Sequence, residues 1–450
     1  MTTALQWGIA EWERAQQRRG SGDALSRLRS EAWRRFLSRG FPTTRDEEWR
    51  FTSVAPIAER AFALAPRSDE SRASIDVDAH RLTDGPAAEL VFVNGRHVPA
   101  LSTLGLLPHG VRVGSLAVSL ASSPDVVANH LARIASRDSN PFVALNTAFL
   151  DDGAYIELPA GAVVERPIHI LFVTARESRR GLGEGGGDRP TMTHPRVVVI
   201  MGAHSQAAIV ETYAGPIGTS YFTNTVSEIL VGDDAVLSHI KLQHEGTAAF
   251  HVGATHVDVQ RGASYVSNAI SLGGELTRHD IVASLNGEGV DCTLNGLYCA
   301  DAERLVDNHT TIDHAKPHCG SREIYKGILG DRARGVFNGK IIVRPDAQKT
   351  DAKQTNRALL LSEDARINTK PQLEIFANDV KCTHGAAVGQ LDEEALFYLR
   401  SRGLSDVAAR HLLIRAFAAD VLNRIPIDAV RSNVDARLQQ QLARVLPHAA

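Results

Sequence analysis

NGKIIVRPDAQKTDAKQTNRALLLSEDARINTKPQLEIFANDVKCTHGAAVGQLDEEALFYLRSR, residues 338–402, joins two kinds of texture in one stretch. In its first half short apolar runs alternate with polar turns, which is the pattern of strands. Near its end Cys382 and His384 stand two residues apart. From Asp392 the apolar period becomes helical, with Ala395, Leu396 and Leu399 on one face. The stretch therefore holds the end of a β body, a candidate metal-binding pair and the entry to a helical unit.

Upstream, from about residue 153, the same strand texture continues. Short β-branched runs such as Ile168 to Val173, Val197 to Ile200, Ile229 to Val231 and Val236 to Ile240 are separated by turns. Gly202-Ala203, Gly232-Asp233 and Gly262-Ala263 recur at intervals of 30 residues, and Gly330-Asp331 and Ser362-Glu363-Asp364-Ala365 sit in similar turn contexts. Strand-turn units repeated without helices between them predict a solenoid of stacked coils. No Asn-Gly turn separates these four runs, which favours a parallel β-helix over a β-sandwich. Residues 177–192 interrupt the body with a Gly-rich loop containing Gly181, Gly183 and Gly186 at dinucleotide-motif spacing. A dinucleotide site needs a helix directly after that motif. Pro190 and a β run follow instead, so the match is read as accidental.

On the other side of the β body, residues 1 to about 65 read as helices. Leu5, Ile9 and Trp12 share a face. Asp23 is placed to cap a second helix bearing Leu25, Leu28, Ala32 and Phe36, which Gly40 and Pro42 stop. Thr44 to Glu47 has capping-box spacing, and Trp49 and Phe51 after it read as core aromatics. Residues 66–150 read as a linker or small cap, with a hairpin turning at Asn94-Gly95 and a short helix from Val126 to Ile134. Beyond the β body, Gly403 ends the first helix, Ser405 caps a second that runs toward Pro426, and a third spans about Asp428 to Leu446. The expected division is 1–150 helical and mixed, 151–391 parallel β-helix, and 392–450 helical.

At 450 residues the chain is long enough for a sizeable core, and 43% hydrophobic with 22% charged residues is ordinary for a folded chain. A net charge of −3 argues against a general affinity for nucleic acid or anionic membrane. The N-terminal 30 residues have no unbroken apolar run of the secretory kind, and no stretch is long and apolar enough to span a bilayer. Four cysteines, all after position 290, do not make a disulfide framework. The expected setting is the cytoplasm, where a functional cysteine is a ligand or a reactive thiol.

No G-x-x-x-x-G-K-[ST], G-x-S-x-G or H-E-x-x-H occurs, so nucleotide-hydrolysing, serine-hydrolase and zincin readings lack support. What remains is Cys382-Thr383-His384. Residues two apart in a strand point to one face, about 6.6 to 6.8 Å apart along the chain. A thiolate and an imidazole suit zinc, copper or an iron–sulfur cluster. A closed site needs about four ligands, so the others must come from elsewhere, a second protein included. Cys292, Cys299 and Cys319 are weaker candidates, Cys319 being flanked by His314 and His318.

Thr369 to Ile375, Asp379 to Gly385 and Gly389 to Gly403 together closely resemble the SufB/SufD family of the SUF iron–sulfur cluster assembly system, on its SufD side. Val336-Phe337-Asn338-Gly339, Lys349-Thr350-Asp351, Gly40-Phe41-Pro42 and Glu48-Trp49-Arg50-Phe51-Thr52 share the likeness, which covers about 40–425. The resemblance implies a right-handed parallel β-helix flanked by N- and C-terminal helical regions. It implies a non-enzymatic scaffold that pairs with a SufB-like subunit and docks a SufC-like ATPase through its C-terminal helices. It places His384 at the SufB–SufD interface, where iron or a cluster is held transiently and no cofactor permanently, and Cys382 on the same strand face is the second candidate ligand. SufB carries a histidine-glutamate pair where this chain has His384-Gly385, and a cysteine where this chain has none around Asn356 to Leu361. That departure sets it apart from a SufB-like scaffold holding the cluster itself, which stays as the alternative, with a β-helical carbohydrate-active enzyme as a remote third. The helices after Gly403 are expected to be dispensable for the β body.

Overall fold

The computed structural model describes residues 3–19, 25–65, 76–124, 127, 129–135, 139–175 and 189–445. Its centre is a parallel β-solenoid in which successive strands alternate between two facing sheets. One sheet runs from Arg366–Ile375 back through Arg334–Val343, Leu305–His314, Leu276–Leu285 and Phe250–Val259 to Tyr221–Val231 and beyond. The other runs from Lys381–Gly389 back through Asp351–Leu360, Gly320–Leu329, Asp291–Ala300 and Ser264–Ser271 to Val236–Gln243 and beyond. The register steps from Val236 to Ser264, Asp291, Gly320, Asp351 and Lys381, about one coil each time. Interior positions from both sheets, among them Ile209, Leu237, Ile229, Val257, Ile281 and Ile312, fuse into one core. Covered on both faces, these strands carry the near-continuous apolar runs that identified them.

The corners explain the turn repeat. At one corner each coil places a single residue in the left-handed region: His204, Asp234, Gly262, Gly289, His318 and Lys349. The backbone N–H of each donates to the carbonyl of the coil above it, as in Asp234 to Arg261, Gly262 to Glu288 and His318 to Gln348. Gly202 and Gly232 are equivalent by register, but Gly262 aligns with Asp234 and not with Gly232. The second of the two equal intervals is therefore coincidental, because that coil is two residues shorter. Gly330-Asp331 belongs to the opposite corner, where Ala302 and Asp331 are the left-handed residues.

The N-terminal expectations hold in part. Ser26–Arg39 is helical with Ala32, Trp33 and Phe36 buried, and Gly40 (φ 69°) donates back to Phe36. Asp23, Leu5's side chain and most of the Gly-rich loop lie outside the described residues. Trp12 stacks on Trp33 with ring centroids 5.2 Å apart. The capping box does not form. Asp46 instead accepts from the backbone N–H (2.7 Å) and hydroxyl (3.2 Å) of Thr43, and only the short 3-10 turn Glu47–Trp49 follows. Trp49 is buried, but Phe51 is 41% exposed. Residues 129–133 form turns where a helix was expected: Ala132 is left-handed (φ 57°), and the N–H groups of Ala132, Ile134 and Ala135 donate to the Glu228 carboxylate and not to a helical ladder. The hairpin at Asn94-Gly95 is present, with both residues left-handed. Its first strand, Ala88–Val93, is no mere linker: it pairs parallel with Ile168–Val173 and extends the second sheet.

At the C-terminus Asp392 caps Glu393–Ser401 and Ser405 caps Asp406–Leu422, with Asp428–Val445 following. Ile414, Ala418, Val421, Val434, Leu438 and Leu442 pack on Ile240, Ile270, Leu297 and Ile328 of the second sheet. These helices are therefore not dispensable. Removing the chain after Gly403 would bare an apolar sheet face to water, and the expected independence of the β body is corrected on that ground.

The first sheet's outer face is clasped by the segment after Gly40. Arg278 lies 3.7 Å over the Trp49 ring, bonds Asp280 twice, and donates to Asp307 (2.8 Å) and to the Glu48 carbonyl (2.7 Å). The Thr52 hydroxyl donates to Asp307 at 2.5 Å. His309 sits between Asp307 (3.0 Å) and Glu48 (3.3 Å). Burial opposes the His309 charge, yet the Asp307 and Glu48 carboxylates win and raise its pKa to about 9. A group whose folded pKa is raised stabilises fully below its unfolded value, near 6.5, and loses that contribution as pH climbs through about 9. His309→Gln should therefore cost about 1.5 to 3 kcal/mol near neutral pH, the range for a hydrogen bond to a charged group. The gap in melting temperature from wild type should close by pH 10. A gap independent of pH in thermal melts would remove the ionic clasp.

Candidate functional site

The solenoid ends on two strands with no coil beyond them. Among the described residues Lys381–Gly389 pairs only with Asp351–Leu360, and Arg366–Ile375 only with Arg334–Val343. The burial contrast is sharp. Strand Phe250–Val259 is buried at every position, whereas Lys381–Gly389 is exposed at every position but Cys382. A full row of backbone donors and acceptors is thus presented to solvent, flanked by Val388 at 49% exposure.

Cys382 and His384 stand on this last strand, in register with Ala352 and Gln354. Those two residues face the interior of the coil beneath, which the alternation of the strand then extends to Cys382 and His384. Cys382 packs in part against the small cluster of Ile341, Val343 and Ala352. His384 is exposed. The two residues share a face, as their spacing predicts. Burial lifts the Cys382 thiol above its ordinary pKa, with Asp351 adding to it and a hydrogen bond at Ala352 opposing it. Beneath His384 the ladder continues to Gln354 and then Glu323, and Gln354 Nε2 donates to Glu323 Oε2 at 2.7 Å. Burial lifts Glu323 to about 7. The buried Oε1 of Gln354 has no hydrogen-bond partner among the described residues.

The other cysteines are elsewhere. Cys292 and Cys299 are buried, and burial pushes Cys299 up to about 12. Cys319 donates its thiol proton toward the Gly287 carbonyl at 3.3 Å. Its flanking histidines do not converge on it: His314 is buried and bonded to the Ser321 hydroxyl at 3.0 Å, and His318 is exposed on a left-handed turn. No group of three or more His, Cys, Asp or Glu side chains able to hold a metal ion exists among the described residues. At the open end Cys382 and His384 stand alone on their strand face, without a third such side chain beside them among the described residues.

The sequence matches the family description "SUF system FeS cluster assembly, SufBD core domain" over residues 183–417 and "SufBD protein N-terminal region" over 11–170. The chain belongs to the SufBD family. It is 35% identical over 431 residues to an iron-sulfur cluster assembly SufBD family protein of Synechocystis, covering 93% of this chain and 89% of the relative. It is 32% identical over 413 residues to the iron-sulfur cluster assembly protein SufD of Escherichia coli, covering 90% of each. SufD of Bacillus subtilis is 26% identical over 412 residues, 89% of each chain. SufBD proteins are iron–sulfur cluster assembly proteins, and the parallel β-helix with helices at both ends agrees with the expectation drawn from the resemblance.

The clasp residues Arg278, Asp307 and His309 were not singled out in the sequence. Their partners Glu48, Trp49 and Thr52 were, as a motif without an address. No local signal marks residues that meet across 230 or more positions. The thiol burial gives a direct check. Under native conditions at pH 8.5, iodoacetamide should modify Cys382 alone, slowly, and Cys382→Ser should abolish the reaction. Peptide mass spectrometry showing equal labelling of Cys319 would contradict this placement.

Proposed function

We propose that this SufBD protein is a non-enzymatic scaffold that completes an iron–sulfur assembly site only with a SufB-like partner. What carries the reading is the uncovered last coil: an unpaired strand edge and two soft donors, Cys382 and His384, stand on the same strand. A partner strand added to that edge would satisfy its open hydrogen bonds and bring further ligands beside the two. Imidazole is a metal donor at neutral pH, and a thiol becomes one as its proton is released to solvent on metal binding. Iron or the nascent cluster is cargo in this scheme, held during assembly and passed on. Four free cysteines suit a reducing compartment, so the proposed location is the cytoplasm. No described helix is long and apolar enough to cross a membrane.

The proposed ATPase contact lies on the C-terminal helices. Most of their apolar surface is used against the solenoid, but Phe397 (74% exposed), Tyr398 (56%) and Leu412 (45%) are left outside. Such aromatics carry a large share of interface energy. A SufC-like ATPase gripping them would couple nucleotide-driven movement to the solenoid, because the helices are packed on its second sheet.

In a co-expressed complex, His384→Ala should leave all subunits associated while iron and labile sulfide fall well below wild type. Cys382→Ser should be milder if the thiol is secondary and equal if both are ligands. A His384→Ala complex with normal iron and sulfide would reduce this histidine to a structural residue. Phe397→Asp should weaken ATPase binding by about tenfold or more, in line with an interface anchor, without lowering the melting temperature. Calorimetry giving unchanged affinity would move the docking site elsewhere.

A further inference from the structure

A second feature of the solenoid's last coils uses neither His384 nor Cys382. On the outer face of the first sheet, Arg334 and Arg366 are direct neighbours in register on adjacent parallel strands. Their backbones are therefore about 4.8 Å apart, and like charges so placed repel. Elsewhere on this surface the basic side chains are answered by acids: Arg332 by Glu303 (2.5 Å), Arg344 by Asp313 (2.5 Å) and Lys370 by Glu47 (2.7 Å). Arg334 and Arg366 have no such partner among the described residues. Neither has Arg50, whose guanidinium lies 5.8 Å from the ring centroid of Phe51.

All three arginines are exposed and line one open groove of ≈ 630 Å³. No Asp or Glu lines it. Its remaining wall sets apolar Leu360, Ile367, the exposed Phe51 and Val388 from the unpaired edge strand beside uncharged Thr44, Ser53 and Asn368. A guanidinium matches a carboxylate in a two-pronged geometry, and arginine with aromatic side chains is the composition enriched at protein interfaces. An open groove that interleaves three unanswered cations with apolar side chains suits a chain carrying both kinds of group. A small oxyanion would use the charges and leave the apolar wall idle.

We infer that this groove is a docking site for an acidic peptide segment of a partner protein, one that alternates Asp or Glu with apolar residues. Binding would set the partner's carboxylates beside the like-charge pair and relieve the repulsion that the free chain carries. The inference goes beyond the assembly reading and stands without it. A partner on the neighbouring strand edge would nonetheless bring such a segment within reach.

The test uses the full-length chain and a fluorescein-labelled peptide of alternating Glu and Leu, with a Gln-Leu peptide as the neutral control. Anisotropy at low salt should show binding of the acidic peptide only, weakening steeply as salt is added. Arg334→Gln/Arg366→Gln should lose about tenfold or more in affinity, as expected when close charge pairs are removed. Arg332→Gln, which breaks an existing pair on the same surface, should leave binding unchanged. At low salt the double variant should melt at or above the wild-type temperature, since repulsion is relieved. Equal binding by the double variant, no binding by wild type, or a lowered melting temperature would each overturn the proposal. Displacement of the peptide by phosphate or citrate at matching concentration would also overturn it, by making the groove a small-anion site.

Discussion

The backbone hydrogen bond from one coil to the next is the constraint on which the rest depends. Each strand of the solenoid satisfies its N–H and C=O groups only by having a neighbour on both sides, and the corner residues bond upward in the same way. Such a ladder has no internal reason to stop. It is blunted at its N-terminal end by antiparallel pieces, Arg112–Ser115 on Gly153–Leu158 and the Ala88–Val93 hairpin. At its C-terminal end nothing comparable follows, and the chain leaves the last strand directly into a helix at Asp392. The exposed edge is thus a consequence of how the stack terminates, and the two candidate ligands stand on it.

The flanking elements make that termination stable. The C-terminal helices lie along the second sheet and bury the apolar row that includes Ile240, Ile270 and Ile328. The segment after Gly40 does the corresponding work on the first sheet by an ionic and aromatic clasp around Arg278 and Asp307. Covering both outer faces leaves the end of the stack as the principal unpaired surface of the solenoid. Its chemistry is divided: a soft pair on one sheet, and unanswered arginines on the outer face of the other. Both features ask for something that this chain does not itself supply among its described residues.

Much of this could be read from residues in order. The β runs, the three C-terminal helices with a cap at Ser405, the Asn94-Gly95 turn and the shared face of Cys382 and His384 all follow from periods of 2 or 3.6 and from turn chemistry. The turn repeat was legible but misaligned at Gly262, because coils of unequal length keep their register through hydrogen bonds and not through residue count. The capping box at Thr44 does not form, and Glu47, its distal member, pairs instead with Lys370, 323 positions away.

By itself, the sequence determined that stacked coils would form, where the helices begin, and that a thiol and an imidazole share one strand face, since each of these depends on near neighbours. Tertiary structure alone decided which strand has no neighbour, which helix face is spent on the sheet, and which cations are left unanswered. Arg334 meets Arg366 and Glu48 meets His309 only because coils of about 30 residues return the chain to the same place. Whether a group is paired or exposed is a property of what the fold brings beside it, and no local pattern encodes that.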